Sequence, residues 1–159
     1  MTHSANGNYR VGVIGCGRKG THHARACHLH PMTEVVAVAD TDSENLALAC
    51  NRFDVPGYAN HREMFEKEQI DIAVFVLPVG PNPEVVVECA EAKVKTILCD
   101  KPMSVSLEDA DRMVEACRSR GINLAPCIRA AIDLPGRSSY ASSLPVDPAQ
   151  RLALHRKDR

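Results

Sequence analysis

The sequence predicts an α/β fold built on a doubly wound, parallel β-sheet in a single domain. Three observations carry that expectation. From Tyr9 onward, short apolar segments rich in β-branched residues alternate with longer segments of helical character. The apolar segments read as continuous runs, as in Val35-Val36-Ala37-Val38-Ala39, which is the pattern of strands covered on both faces. A β-α-β-α order of such strands requires crossover helices and parallel pairing. The 159 residues set the scale: one domain, able to bury roughly 68–70% of its unfolded surface.

Taken in order, residues 9–14 form a strand that runs into Gly15, and residues 18–30 a helix stopped by Pro31. Residues 34–39 form a buried-type strand ending at Asp40. Residues 43–53 are helical, with Asp42 or Ser43 as N-cap. Residues 61–68 make a short charged helix, and residues 70–77 a nearly continuous apolar strand ending at Pro78. Asn82 can cap a helix whose first position is Pro83, where a missing N–H costs nothing; that helix runs to about Ala92. Residues 94–99 are the next strand. Ser106 and Asp109 bracket a capping-box-like start for a helix through Arg120, with Gly121 as its stop. Residues 122–127 close the sheet.

Beyond Cys127 neither the strand nor the helix period survives. Residues 128–159 carry Pro135, Gly136, Pro145 and Pro148 among serines, and their charge is +3 where residues 1–127 carry −4. This segment reads as a weakly ordered tail with short helical pieces near Ala130 and Leu152. Residues 1–8 read as a polar extension, which leaves 9–127 as the folded domain. The net charge of −1 argues against a nucleic-acid partner. No apolar run approaches the roughly 20 residues that span a bilayer, and the N-terminus has no apolar leader core, so a cytoplasmic protein is expected. Seven widely spaced cysteines, odd in number and without a Cys-x-x-Cys pair, are expected as small core hydrophobes.

The chemistry concentrates in Gly15-Cys16-Gly17-Arg18-Lys19-Gly20, a G-x-G-x-x-G that follows a strand and opens a helix. Gly15 permits the tight turn, Gly17 lets a pyrophosphate approach the backbone, and Gly20 allows close helix-on-strand packing. The helix N-terminus adds free N–H groups and partial positive charge for the phosphates. Asp40, twenty residues past Gly20 at the end of the second strand, is placed to accept hydrogen bonds from an adenosine ribose. A carboxylate there repels a 2′-phosphate, so NAD is expected over NADP, although Arg18 and Lys19 could reach such a phosphate. The fold is then of Rossmann type. His22, His23, Cys27, His28 and His30 crowd the first helix, with His23 and Cys27 at i, i+4, but further ligands at suitable spacing are missing, and no metal is expected.

At this point the sequence resembles the N-terminal half of the glucose–fructose oxidoreductase/inositol dehydrogenase (Gfo/Idh/MocA) family. The resemblance runs from about Tyr9 to Cys127. It rests on the glycine motif with His23 three residues on, Val36-Ala37-Val38-Ala39-Asp40, Tyr58 before the third helix, Asp71-Ile72-Ala73-Val74 leading to Pro78, and Cys99-Asp100-Lys101-Pro102. The last segment resembles the family's Glu-Lys-Pro signature. The resemblance implies a sugar or polyol dehydrogenase in which Lys101 sits beside the nicotinamide, contacts the substrate hydroxyl and aids proton movement. A buried lysine with a lowered pKa would suit that role. It also implies cofactor contacts from Pro78, Asn82, Asp100 and Lys101, beside the motif residues and Asp40.

Three departures stand out. Asp100 replaces a usual glutamate, Asn82 a usual histidine, and Val94 a usual glycine, so the helix before Val94 must end in another way. The family's second domain, which forms the substrate pocket, is expected to be missing, as in a truncation, a frame-shifted reading or an excised domain. The alternatives to an active dehydrogenase are therefore an inactive NAD-binding module and an NAD-responsive partner protein.

Overall fold

Six strands and five helices alternate along residues 8–127, the residues described by the computed structural model. In chain order they are β1 (Tyr9–Ile14), α1 (Arg18–Leu29), β2 (Thr33–Ala39), α2 (Ser43–Phe53), β3 (Gly57–Tyr58), α3 (His61–Lys67), β4 (Ile72–Phe75), α4 (Asn82–Glu91), β5 (Thr96–Asp100), α5 (Leu107–Arg118) and β6 (Asn123–Cys127). The expected tail 128–159, and all of the expected N-terminal extension but Asn8, lie outside the described residues. No helix among the described residues is long and apolar enough to cross a membrane.

All strand pairs are parallel, in the order β3-β2-β1-β4-β5-β6. The chain starts in the middle of the sheet, winds outward to β3, then returns to the other side of β1 through β4. The order therefore reverses between β1 and β4, and ligands of such sheets lie in the crevice beyond the carboxyl ends at that point. Register lines those ends up: Ile14 pairs with Ala39 and with Phe75, and Phe75 pairs with Cys99. The residues that follow, Gly15, Asp40, Val76 and Asp100, consequently leave the sheet along one edge.

Each face of the sheet has its own core. Val11, Val13, Val38 and Val74 pack with Ala24 of α1 and with Ala49 and Phe53 of α2. Ile14, Ala37, Phe75 and Ile97 pack with Met64 of α3, Val85 and Cys89 of α4, and Met113 of α5. Neighbouring residues such as Val74 and Phe75 thus belong to opposite cores, the physical origin of the unbroken apolar runs. Cys16, Cys89, Cys99 and Cys117 are buried among these side chains. Burial pushes the Cys117 and Cys89 thiols up, the latter helped by the charge of Glu88.

The structure corrects several boundaries. β3 was not expected: two residues are too few to carry a period, yet Gly57 and Tyr58 pair with Val38 and Ala39. β4 spans Ile72–Phe75, shorter at both ends than residues 70–77, although the Asp71 carbonyl still accepts the N–H groups of Lys95 and Thr96 at 2.8 and 3.2 Å. β5 begins at Thr96, α1 ends at Leu29 and α5 at Arg118, with Gly121 at φ +68° forming the expected stop. Asp42, and not Ser43, caps α2 by accepting from the N–H groups of Glu44 and Asn45. Pro81 occupies the N-cap of α4 in place of Asn82, and Lys93, at φ +61°, takes the left-handed turn that Val94 cannot.

Phe75 is fully buried on the central strand β4. Phe75→Ala is expected to cost about 3–5 kcal/mol in denaturant unfolding, with a cavity under α4 that the neighbouring strands cannot close.

Candidate dinucleotide site

β1 delivers the chain into a turn that only glycine tolerates. Gly15 stands at φ +86°, and a Cβ there would lie 2.3 Å from the Val76 carbonyl oxygen. Gly20, in the first turn of α1, is tighter: a Cβ would fall 1.7 Å from the Gly15 carbonyl oxygen. Gly17 is different. Nothing lies within 4 Å of the position of its absent Cβ, so that side of the loop is open to an approaching group. The three glycines therefore divide into two packing positions and one access position, as the motif required.

α1 begins bare. Its N-cap, Gly17, offers no side chain, and its first turn holds no acidic residue. By contrast Asp42, Asn60 and Ser106 satisfy backbone N–H groups at the starts of α2, α3 and α5. Free N–H groups and the uncompensated dipole at α1 suit a pyrophosphate, and the open side of Gly17 leaves room for it. Thr21 holds the loop from within, its hydroxyl donating to the Cys16 carbonyl at 2.8 Å.

Asp40 does more than the sequence indicated. One carboxylate oxygen accepts the Cys16 N–H at 2.6 Å and the other the Asp42 N–H at 2.9 Å. It thereby clamps the glycine loop to the end of β2 and starts the turn into α2, while each oxygen retains capacity for another donor. Cys16, expected among the cofactor contacts, spends its N–H on this clamp and buries its side chain. Its thiol is pushed up to about 12 by desolvation, by the Asp40 charge and by Cys50, which makes it a packing group.

On the other side of the crevice, Lys19 Nζ lies 3.1 Å from Asp100 Oδ2. Burial alone would push the Asp100 carboxyl up, but the Lys19 ammonium, the Lys101 N–H and the charge of His23 outweigh it and hold it below its ordinary range. Lys101 follows directly, and it is exposed, contrary to the buried lysine expected. Arg18 and Pro78 are exposed too, Pro78 beyond the end of β4. Asn82, expected to touch cofactor, is 2% exposed, and its Nδ2 donates to the Pro102 and Met103 carbonyls at 3.3 and 3.0 Å.

One feature escaped the sequence. A cleft of about 290 Å³ opens beside Gly17 between α1 and α2, with Arg18, His22, Asn45 and Arg52 on its walls. No spacing rule ties Arg52 to a glycine motif more than thirty residues earlier; only the packing of α2 beside α1 does. Among the described residues, no group of three or more His, Cys, Asp or Glu side chains could hold a metal ion.

Sheet order, glycine loop and strand-end carboxylate together define an NAD-binding Rossmann domain. Residues 9–126 match the oxidoreductase family with an NAD-binding Rossmann fold, GFO_IDH_MocA, and the chain belongs to that family. It is 32% identical over 116 residues to myo-inositol 2-dehydrogenase of Thermotoga maritima, covering 72% of this chain and 34% of that one. It is 31% identical over 161 residues to D-apiose dehydrogenase of Paraburkholderia graminis, covering 89% and 43%. The WlbA dehydrogenase of Bordetella pertussis, solved with NADH and UDP-GlcNAcA, superposes with a TM-score of 0.75 at 29% identity, over 79% of this chain and 38% of that one. The chain thus spans about a third to two-fifths of the length of these relatives.

Gly17→Val is expected to remain folded and to lose dinucleotide binding by calorimetry, whereas Gly20→Val should lower the melting temperature sharply, because backbone must move to admit it. For Asp100, a depressed folded pKa means a stabilising contribution complete above the unfolded value of about 3.9 and lost as pH falls through the folded value. Lys19→Met should raise the Asp100 carboxyl pKa in an NMR titration; an unchanged value would show that the pair does not set it.

Proposed function

We propose that this chain binds NAD in preference to NADP and serves as the cofactor-binding part of a dehydrogenase acting on the CH–OH group of a sugar or polyol. The observation that carries the reading is the Asp40 clamp. It fixes a carboxylate beside the open glycine loop, where it accepts from ribose hydroxyls and repels a 2′-phosphate. The residues that would hold the cofactor are the Gly17 loop and the α1 N-terminus at the pyrophosphate, Asp40 at the adenosine ribose, and the Asp100–Lys101 segment at the nicotinamide end. NAD, when bound, supplies the hydride acceptor. Lys101 would hold or move the proton of the substrate hydroxyl.

The sugar and polyol class comes from the relatives, named as inositol and apiose dehydrogenases. The exposure of Lys101 favours a second reading for residues 8–127 taken alone, binding without appreciable turnover. A dehydrogenase assay on a polyol panel beside NADH titration separates the two.

Calorimetry of the full chain with NADH and NADPH tests the main reading, and tighter NADH binding is expected. Asp40→Ala should weaken NADH by about 1–3 kcal/mol, since hydroxyl partners are lost and the Cys16 N–H is freed. Tighter NADPH binding by the unmodified chain would sink the assignment.

A further inference from the structure

We infer that Asn82 is a positioning residue, whose side-chain amide pins the backbone following Lys101 and so sets the nicotinamide end of the site. This rests on the reading of Lys101 as the residue that faces the nicotinamide. Asn82 opens α4 yet leaves that helix uncapped; its Nδ2 reaches twenty residues along the chain to the Pro102 and Met103 carbonyls. Among the described residues, these two bonds are the hydrogen bonds that tie 102–103 to another element. The orientation of the amide is determined by its partners: both are carbonyl oxygens, and only the NH₂ end can serve them.

The other end of the amide shows what the residue is for. Asn82 Oδ1 is buried and has no partner among the described residues. A buried acceptor left alone works against stability, and an apolar side chain of the same size would avoid it. The unpaired Oδ1 offsets part of what the two donated bonds contribute, and helix capping is excluded by Pro81 at the N-cap. What the amide supplies is a pair of donors to one short irregular stretch. That stretch is mechanically coupled to Lys101, because the proline ring fixes its own φ and restricts the residue before it. Holding the Pro102 and Met103 carbonyls thus holds the Lys101 backbone, while the Lys101 side chain stays free at the crevice.

ADP-ribose and NADH separate this inference from the reading beneath it, since ADP-ribose carries every part of the site's ligand except the nicotinamide. The full chain and its Asn82→Leu variant, with Asn82→Ala as the second variant should the first not fold, are titrated with both ligands. Carbonyl carbon shifts of Pro102 and Met103 are read by NMR in parallel. The expected result is a roughly tenfold loss of NADH affinity with ADP-ribose affinity held within about twofold, together with shifts of both carbonyls as their donors disappear. Equal weakening of the two ligands, unchanged NADH binding, or an unmodified chain that binds both equally overturns the role of Asn82. An unmodified chain that binds neither overturns the dinucleotide reading itself, and this inference with it.

Discussion

The site depends on a contact between two stretches of backbone. α1 starts so near the end of β1 that a methyl group on Gly20 would lie 1.7 Å from the Gly15 carbonyl, and one on Gly15 would lie 2.3 Å from the Val76 carbonyl. Ordinary van der Waals contact begins more than an ångström further out, so no side chain of any kind can occupy either position without moving the helix or β4. Because the helix cannot retreat, its first-turn N–H groups end at the row where β1, β2, β4 and β5 finish together. The open face of Gly17, the clamp from Asp40 and the lysine of the first turn all take their places from that approach. A binding surface made this way owes its shape to packing, and its chemistry needs little more than uncapped backbone.

Charge is distributed between the two ends of the sheet accordingly. At the amino end, Asp71 is 7% exposed, accepts the Arg10 N–H at 2.9 Å and lies 2.6 Å from Lys95 Nζ, which ties β1 and β4 to the approach of β5. That carboxylate is a fixture. At the carboxyl end, Lys19 keeps about half of its surface in water while it pairs with Asp100. In both pairs the lysine is half exposed and the carboxylate largely buried. The two ends differ in what the carboxylate joins: Asp71 ties β4 to β1 through the Arg10 N–H, whereas Asp100 ties the end of β5 to α1 through Lys19.

Much of this could be read from the sequence. Apolar runs bounded by glycine, proline and acidic residues predicted ten of the eleven elements, and the G-x-G-x-x-G with Asp40 located the glycine loop and the carboxylate at the end of β2. What escaped was tertiary. Gly57 and Tyr58 form a strand only because β2 presents a free edge to them. The sequence offers Asn82 as a helix cap because Pro83 follows it, but Pro81 takes the N-cap, and the Asn82 Nδ2 donates to carbonyls brought from residues 102 and 103. Lys93, and not Val94, takes the left-handed turn, which a β-branched side chain could not. Lys101, expected as a buried lysine, is exposed where it follows the end of β5. Local sequence reports local preference; it does not report which distant carbonyl arrives with the fold.

The exposure of Lys101 also decides how binding and chemistry divide within the fold. Binding needs the bare helix start, the open glycine and the strand-end carboxylate, all of which sit on rigid elements inside residues 8–127. Proton transfer by a positioned lysine is worth roughly 10²–10⁴-fold, or about 3–5 kcal/mol. Holding a substrate in line with the hydride carbon and away from water is worth about 7–11 kcal/mol, the larger share. A lysine in contact with solvent cannot supply that larger share, because its side chain neither fixes a substrate nor excludes water. On the proposed reading, the described residues would bring the nicotinamide and Lys101 together, and enclosure of the substrate would account for the larger share of the rate.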